Sequence, residues 1–401
     1  MYLRSNVCVV GNGVIGKTAA LGLAQSGLDV TLLRPAGGGS GVSSKPLTNW
    51  DIRVYALNHV ARSLLSSLKI WDALDRSRVA PVDTMNIHGM DERYAGNIVF
   101  DAYSARTDAL AWIVEDRHLN LVLDAALRFA PNVRIMSGQA TGLDIDNDVA
   151  KVQLDIGDTV GASLLVGADG AHSWVRGQCD IGIDYRPYAQ RAVVTNFACE
   201  KPHRDTAYQW FAAADGIVAL LPLPGQQVSL VWSAPDTLAD ALMNGSAEQL
   251  AERVTHIAAS QLGRLTPLPP ATVKDFPLAL IRPHAVVAPR VALVGDAAHV
   301  VHPLAGHGMN LGFADVAVLL EKVAGRGLRL DCGDERVLSG YARARKEEVL
   351  LMQIATDGLE RLFSSGFEPL RLMRGIGLNL VDRLPVLKRR LISHALGKPL
   401  H

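Results

Sequence analysis

Apolar positions change their spacing several times along the chain, and each change marks an element. Residues 5–10 form a β-rich run, and 14–26 then set Ile15, Ala19, Leu23 and Ser26 on one helical face before 29–33 turn apolar again. The segment "PAGGGSGVSSKP" (35–46) reads as a polar loop. From 51 to 130 the pattern predicts mostly helix, broken around Pro81, and 133–168 predict short strands with turns at "DND" and "IGD". Alternating strands follow over 190–233, then a polar helix at about 246–262 and the Pro-rich "LTPLPPATV". A strand at 290–299 enters a turn, 308–323 are helical, and from 335 onward the chain is helical and increasingly basic. No internal repeat interrupts this order.

Composition narrows the class without naming a function. At 401 residues the length suggests roughly two to three domains. Forty Lys and Arg balance forty Asp and Glu, so the whole chain carries no electrostatic footprint for nucleic acid. The four cysteines are scattered with no CxxC pair, which argues against a zinc site or a disulfide framework and suits a reducing cytosol. No apolar run reaches the ~18 residues of a membrane-spanning helix. A first strand running into a glycine loop is not signal-peptide order. The expected location is the cytoplasm, with a peripheral place at the inner face of the membrane as the variant.

Three stretches carry chemistry. The first is Gly11-Asn12-Gly13-Val14-Ile15-Gly16 between a strand and a helix. Gly11 permits the tight turn, Gly13 lets the backbone approach a pyrophosphate, and Gly16 lets helix and strand pack closely. The helix start offers free N–H groups to the phosphates. The second is "LLVGADGAHSWVR" (164–176), where Asp169-Gly170 ends a strand and Ser173 and Arg176 open the next helix. A plain corner capped by Asp169 and a cofactor contact explain it equally well. The third is "RVALVGDAAHVVHPLAGHGMNLGFAD" (290–315), a strand ending at Gly295-Asp296 and a helix beginning near Gly308-Met309-Asn310. An acid at a strand end can accept from a ribose or ribitol hydroxyl, and the helix start makes a second anion site. His299 and His302 have HxxH spacing but no acidic or Cys partner on the same element, so no metal is expected.

As a set these stretches resemble the single-component flavoprotein aromatic hydroxylases, which include p-hydroxybenzoate hydroxylase. That family has an N-terminal GxGxxG, a middle DG and a late GD motif around one FAD. "DIRVYAL" (51–57) resembles its Asp-x-Arg segment and puts Arg53 beside the flavin, and "IVEDRHL" (113–119) makes Arg117 a cofactor contact. "YAQRAVVTNFACEKPH", "AYQWFAAADGIVALLPL", "VSLVWS" and "GLNLVDRLPVLKRRLISHALG" resemble the ubiquinone-biosynthesis branch. The resemblance implies an α/β fold: a Rossmann-like FAD-binding domain over 1–75, 100–180 and 275–330, an inserted antiparallel-sheet substrate domain over 76–99 and 181–274, and a C-terminal helical region over 331–401. It also implies FAD with NADPH or NADH as transient co-substrate, and oxygen transfer to an aromatic carbon through a flavin hydroperoxide. Pro303, Gly306, Gly308, Met309 and Asn310 would then lie along the ring, with Asp169 and Asp296 toward the ribitol and pyrophosphate. No side-chain base is assigned; His302, Pro303 and His307 are the candidates near the ring.

Two positions depart from the family: Arg34 stands where a ribose-binding Glu is usual, and His307 where "GQG" has Gln. In a nicotinamide dehydrogenase Arg34 would favour the 2′-phosphate of NADP; in a flavoprotein it would stack on adenine or meet a phosphate. The implied substrate is a small apolar phenol or hydroquinone, prenylated, with Trp210, Phe211, Leu220, Leu221 and Trp232 as candidate walls, unless these strands are simply core. Residues 366–401 hold seven Lys or Arg against Glu368 and Asp382, which suits an anionic membrane surface, a partner enzyme of the ubiquinone pathway, or a solvated helical face. The alternatives are an NADP-dependent dehydrogenase and a flavin-binding assembly component without turnover.

Overall fold

The computed structural model describes residues 1–35, 49–89, 96–212, 215–301, 307–327 and 329–364. His302, Pro303, Gly306 and the basic region 366–401 therefore lie outside the described residues, as does the side chain of His307.

A largely parallel sheet forms the base. Its order is β18 (Val287–Ala288), β19 (Val291–Leu293), β11 (Thr159–Gly167), β1 (Tyr2–Val10), β2 (Val30–Arg34) and β8 (Val133–Ser137). The five strands β19 to β8 run parallel, so their carboxyl ends lie side by side along one edge. The hairpin β9 (Ala140–Ile145) and β10 (Ala150–Leu154) adds to β11. Three helices cover one face: α1 (Val14–Gln25), α3 (Asp116–Phe129) and α7 (His307–Ala324). Leu23, Leu32, Leu119, Val166 and Phe313 are fully buried in the core they share. Gly22 lets α1 and α7 approach, because a Cβ there would lie 2.5 Å from Leu320. Helix α8 (Glu335–Ser364) packs on α7, and α2 (His59–Ser67) also touches it.

A second sheet is mostly antiparallel, in the order β16 (Leu265–Pro267), β12 (Ile183–Cys199), β15 (Gln227–Pro235), β14 (Gly216–Leu223), β13 (Thr206–Ala212), β5 (Thr84–Gly89) and β6 (Asn97–Asp101). The strand β17 (Lys274–Pro283) pairs with β12, and so extends the second sheet although the sequence division at 275 gave most of it to the first domain. Helices α5 (Asp236–Asn244) and α6 (Ala247–Leu262) cover one face, α6 starting at a capping box between Ser246 and Gln249. A three-stranded sheet of β3 (Val54–Leu57), β7 (Ala111–Glu115) and β4 (Ala80–Val82) lies between, and the short α4 (Trp174–Gln178) follows β11.

The helical expectation for 51–130 is corrected. Only α2 and α3, which carries Asp116 in its first turn, are α-helices there, and β3 to β7 occupy much of the rest. These strands are three to six residues long and half-buried on several positions, so no period develops. Pro81 sits in β4, an edge strand paired only to β7, where a missing N–H is tolerated.

The proposed aromatic wall is corrected in part. Trp210, Leu220 and Trp232 face α5 and α6 in a buried core with Val193 and Val254. Alternation turns Phe211, Leu221 and Val231 to the opposite face, where Leu221 packs with Trp50 and Val54. Asn196 on that face donates from Nδ2 to the Asp51 carbonyl at 2.9 Å, tying the second sheet to the segment that carries Arg53.

Candidate active site

A cavity of about 820 Å³ runs along the carboxyl edge of the parallel sheet. The strand order sets the sequence of its lining: Gly295 and Asp296 after β19, Ala168 to Gly170 after β11, Gly11 to Ile15 after β1, Arg34 at the end of β2, and Gly138 and Gln139 after β8. Arg53, Tyr55, Asp116 and Asn120 close another side, and Gly308 and Met309 come from the first turn of α7. Of the expected cofactor residues within the described chain, ten line this one cavity: Gly11, Gly13, Arg34, Arg53, Asp169, Gly170, Gly295, Asp296, Gly308 and Met309.

Gly16, Arg117 and Asn310 do not line it. A Cβ on Gly16 would lie 2.1 Å from the Gly11 carbonyl, so this glycine serves helix–strand packing. Arg117 is exposed and turned toward the 49–51 segment, donating to the Asn49 carbonyl at 3.3 Å, with its backbone N–H on Asp51. Asn310 is buried and clamps β3 to α2: Nδ2 donates to the Ala56 carbonyl at 2.8 Å and Oδ1 accepts from Asn58 N–H.

The glycine loop is shaped for close approach. Gly11 has φ +128, and a Cβ there would lie 2.1 Å from the Ala168 carbonyl. Gly13 differs: a Cβ there would meet nothing within 4 Å, so its missing side chain leaves open the space in front of α1. That helix start has no side-chain cap, and its N–H groups are left for a ligand anion.

Asp169 caps the corner, as the plainer of its two sequence readings has it, and keeps one oxygen uncommitted. Its Oδ2 accepts from Val175 N–H at 3.0 Å and caps the corner, while its Oδ1 is buried and meets no donor. Arg176, also buried, joins this stretch to the third one, donating to the Ala171 carbonyl at 2.7 Å and the Ala297 carbonyl at 3.0 Å. Asp296 opens onto the cavity and accepts no hydrogen bond among the described residues. Its side chain is exposed to the cavity, but the surrounding protein atoms desolvate it and raise its carboxyl above the usual range, against the pull of His299 and Arg53.

Under this turn lies a buried charge lattice that sequence reasoning missed. Asp315 on α7 accepts at Oδ2 from Gly295 N–H (2.9 Å) and His299 Nε2 (2.7 Å), and at Oδ1 from Arg345 Nε on α8 (2.7 Å). Side-chain exposure is 1% for His299, 1% for Asp315 and 2% for Arg345. Burial pushes the Asp315 carboxyl up, but His299 and then Arg345 outweigh it and hold it below the ordinary carboxylate value. Arg345 also pairs with Glu348 and donates to the Leu311 carbonyl. An acid inside the apolar run "LGFADVAVLL" was the available signal, since a buried charge needs a partner. On the opposite wall Tyr55 donates to Asp116 at 2.6 Å, Asn120 donates to the same carboxylate, and buried Lys17 holds Asn120 and Asp124.

The donor and acceptor set fits a flavin dinucleotide. Asp169 Oδ1 and the Asp296 carboxylate are free acceptors for hydroxyl groups, and the Gly13 opening at a helix start suits a pyrophosphate. The family described as FAD binding domain matches residues 4–349. The chain belongs to this family of FAD-binding monooxygenases.

The monooxygenase is 36% identical to 3-demethoxyubiquinol 3-hydroxylase of Escherichia coli (strain K12) over 398 residues, 98% of each chain. It is 35% identical to the ubiquinone hydroxylase UbiL of Rhodospirillum rubrum, over 98% of this chain and 90% of that one. Its fold is similar to that of p-nitrophenol 4-monooxygenase from Pseudomonas putida DLL-E4, with a TM-score of 0.75, 20% identity and 100% of both chains covered. It is an FAD-dependent aromatic monooxygenase of the ubiquinone hydroxylase group, in a class that typically uses NAD(P)H. The dehydrogenase alternative falls with that membership. Among the described residues no helix is long and apolar enough to cross a membrane.

Proposed function

We propose that this monooxygenase hydroxylates the ring of a prenylated phenol or hydroquinone on the way to ubiquinone. The observation that carries the reading is the likeness to 3-demethoxyubiquinol 3-hydroxylase, which extends over 98% of both chains. When bound, FAD supplies activation of oxygen after reduction by NAD(P)H.

The chain's own residues bind, orient and exclude water. The Gly11–Gly16 turn and the start of α1 take the pyrophosphate, and Asp169 and Asp296 accept the hydroxyls of the linking sugar alcohol. The first N–H groups of α7, at Gly308 and Met309 beside the cavity, offer partial positive charge to the ring. Arg53 stands at the junction of the two sheets, its guanidinium carbon 5.5 Å from the centre of the Phe276 ring. The substrate would lie against the face of the second sheet that adjoins this junction, on half-buried Ala219, Leu221 and Val231 and buried Phe211. No general base is needed to make a phenol electron-rich, and none is assigned.

Quinone profiling by mass spectrometry in a strain lacking the gene tests the reading. A hydroxylation-deficient prenylated precursor should accumulate and ubiquinone should fall. An unchanged ubiquinone pool would overturn it. Purified protein that binds FAD yet shows no substrate-stimulated NAD(P)H oxidation would point to a flavin-binding assembly component.

A further inference from the structure

The end of β2 raises a question that the family assignment does not answer. In dinucleotide-binding units the second strand ends in an acid that accepts from the ribose 2′-hydroxyl, and an arginine there instead accommodates a 2′-phosphate. Here the strand ends in Arg34, which lines the cavity beside Pro35, Gly138 and Gln139. Arg34 and Ser137 are register partners at the ends of β2 and β8, and Arg34 Nε donates to Ser137 Oγ at 2.7 Å. That bond fixes the guanidinium across the strand ends. Its Nη1 and Nη2 meet no acceptor among the described residues.

Among the described residues no carboxylate takes the missing role. The acids lining the cavity are Asp116, Asp169 and Asp296, which belong to α3, to the turn after β11 and to the turn after β19. Residues 35–50 contain no Asp or Glu, so the chain leaving β2 cannot supply one before Asp51. Asp51 itself accepts from the backbone N–H groups of Arg53 and Arg117. Asp155, behind Gly138, has its Oδ1 committed to Gln139 N–H at 2.9 Å.

We infer that Arg34, fixed by Ser137, makes the adenosine end of the cavity a cationic donor subsite that is indifferent to the ribose 2′-hydroxyl and takes a 2′-phosphate. A guanidinium offers hydrogens and no lone pair, so it cannot receive the hydroxyl proton that a carboxylate would. Its two outward nitrogens suit a phosphate instead. This inference rests on the family's cofactor and is independent of the substrate proposed above.

Titration of the deflavinated full-length protein tests it, using quenching of flavin fluorescence. The FAD analogue built on 2′-deoxyadenosine should bind within about threefold of FAD, since the subsite offers no acceptor for the 2′-hydroxyl proton. Adenosine 2′,5′-bisphosphate should displace FAD at least about tenfold better than AMP. In Arg34→Glu both orders should reverse: the deoxy analogue weakens by about tenfold and the bisphosphate loses its advantage. A deoxy analogue that binds wild-type protein tenfold or more weakly than FAD, or a bisphosphate no better than AMP, would overturn the inference. The two wild-type titrations decide it even where the variant does not fold.

Discussion

The two ends of the cavity are built on opposite plans. At the end proposed for the flavin ring and its sugar alcohol, the Gly295-Asp296 turn is held from beneath by Asp315, which is itself gripped by His299 and by Arg345 from a separate helix. Those three side chains are all but excluded from solvent. At the end proposed for the adenosine a single partly exposed arginine is steadied by one hydroxyl, Ser137 Oγ. Buried charges are costly, and a fold that keeps the Asp315–Arg345 ion pair and the His299 imidazole under one turn fixes that turn closely. The end proposed for the flavin ring is therefore over-determined, while the end proposed for the adenosine has room to change its hydrogen-bonding polarity, as Arg34 for Glu illustrates.

Breaking the lattice should give the largest effect. Arg345→Met leaves Asp315 buried without its permanently charged partner, a change that costs about 3–5 kcal/mol. Urea unfolding at neutral pH should show that loss, and the double change Asp315→Leu with Arg345→Met should recover part of it. Next comes the middle of the cavity. Gly13→Ala meets no protein atom within 4 Å, so folding should change by no more than about 1 kcal/mol. The added methyl group would stand where the pyrophosphate approaches, and FAD affinity should fall by about tenfold or more, read by equilibrium titration.

Asp296 sharpens the comparison through pH. Its folded pKa lies above the ordinary value of 3.8, mainly because the cavity walls desolvate it. The charged form is thus disfavoured in the folded protein: the carboxylate costs stability above its folded pKa, and the cost fades as pH falls toward 3.8. Asp296→Asn should raise the unfolding midpoint at pH 7, with the gain shrinking on acidification, while FAD binds less tightly. Stability gained together with cofactor affinity would show that the carboxylate is not a cofactor contact. The smallest effect belongs to the adenosine end, where Arg34→Glu should retain or slightly tighten FAD.

What the sequence made legible follows the same division. The β1–α1–β2 unit could be read because three glycines with distinct steric duties sit between two apolar strands. The GD and DG turns could be placed because a buried strand ends in an acid. The five short strands β3 to β7 could not, since three to six residues with mixed burial set up no period. For Trp210, Leu220 and Trp232, alternation revealed which residues share a face but not which face the helices α5 and α6 would cover. The Asp315–Arg345 pair spans 30 residues and two helices, so no local pattern joins its members. Only the cost of burying an acid in an apolar helix hinted at it.

The contrast between the ends is tested most directly by the FAD dissociation constants of Asp315→Asn and Arg34→Ala, measured in one titration series on folded protein. The ring-end change should weaken FAD by about tenfold or more, and the adenosine-end change by less than about threefold. Equal losses, or a larger loss at Arg34, would contradict the unequal grip described here.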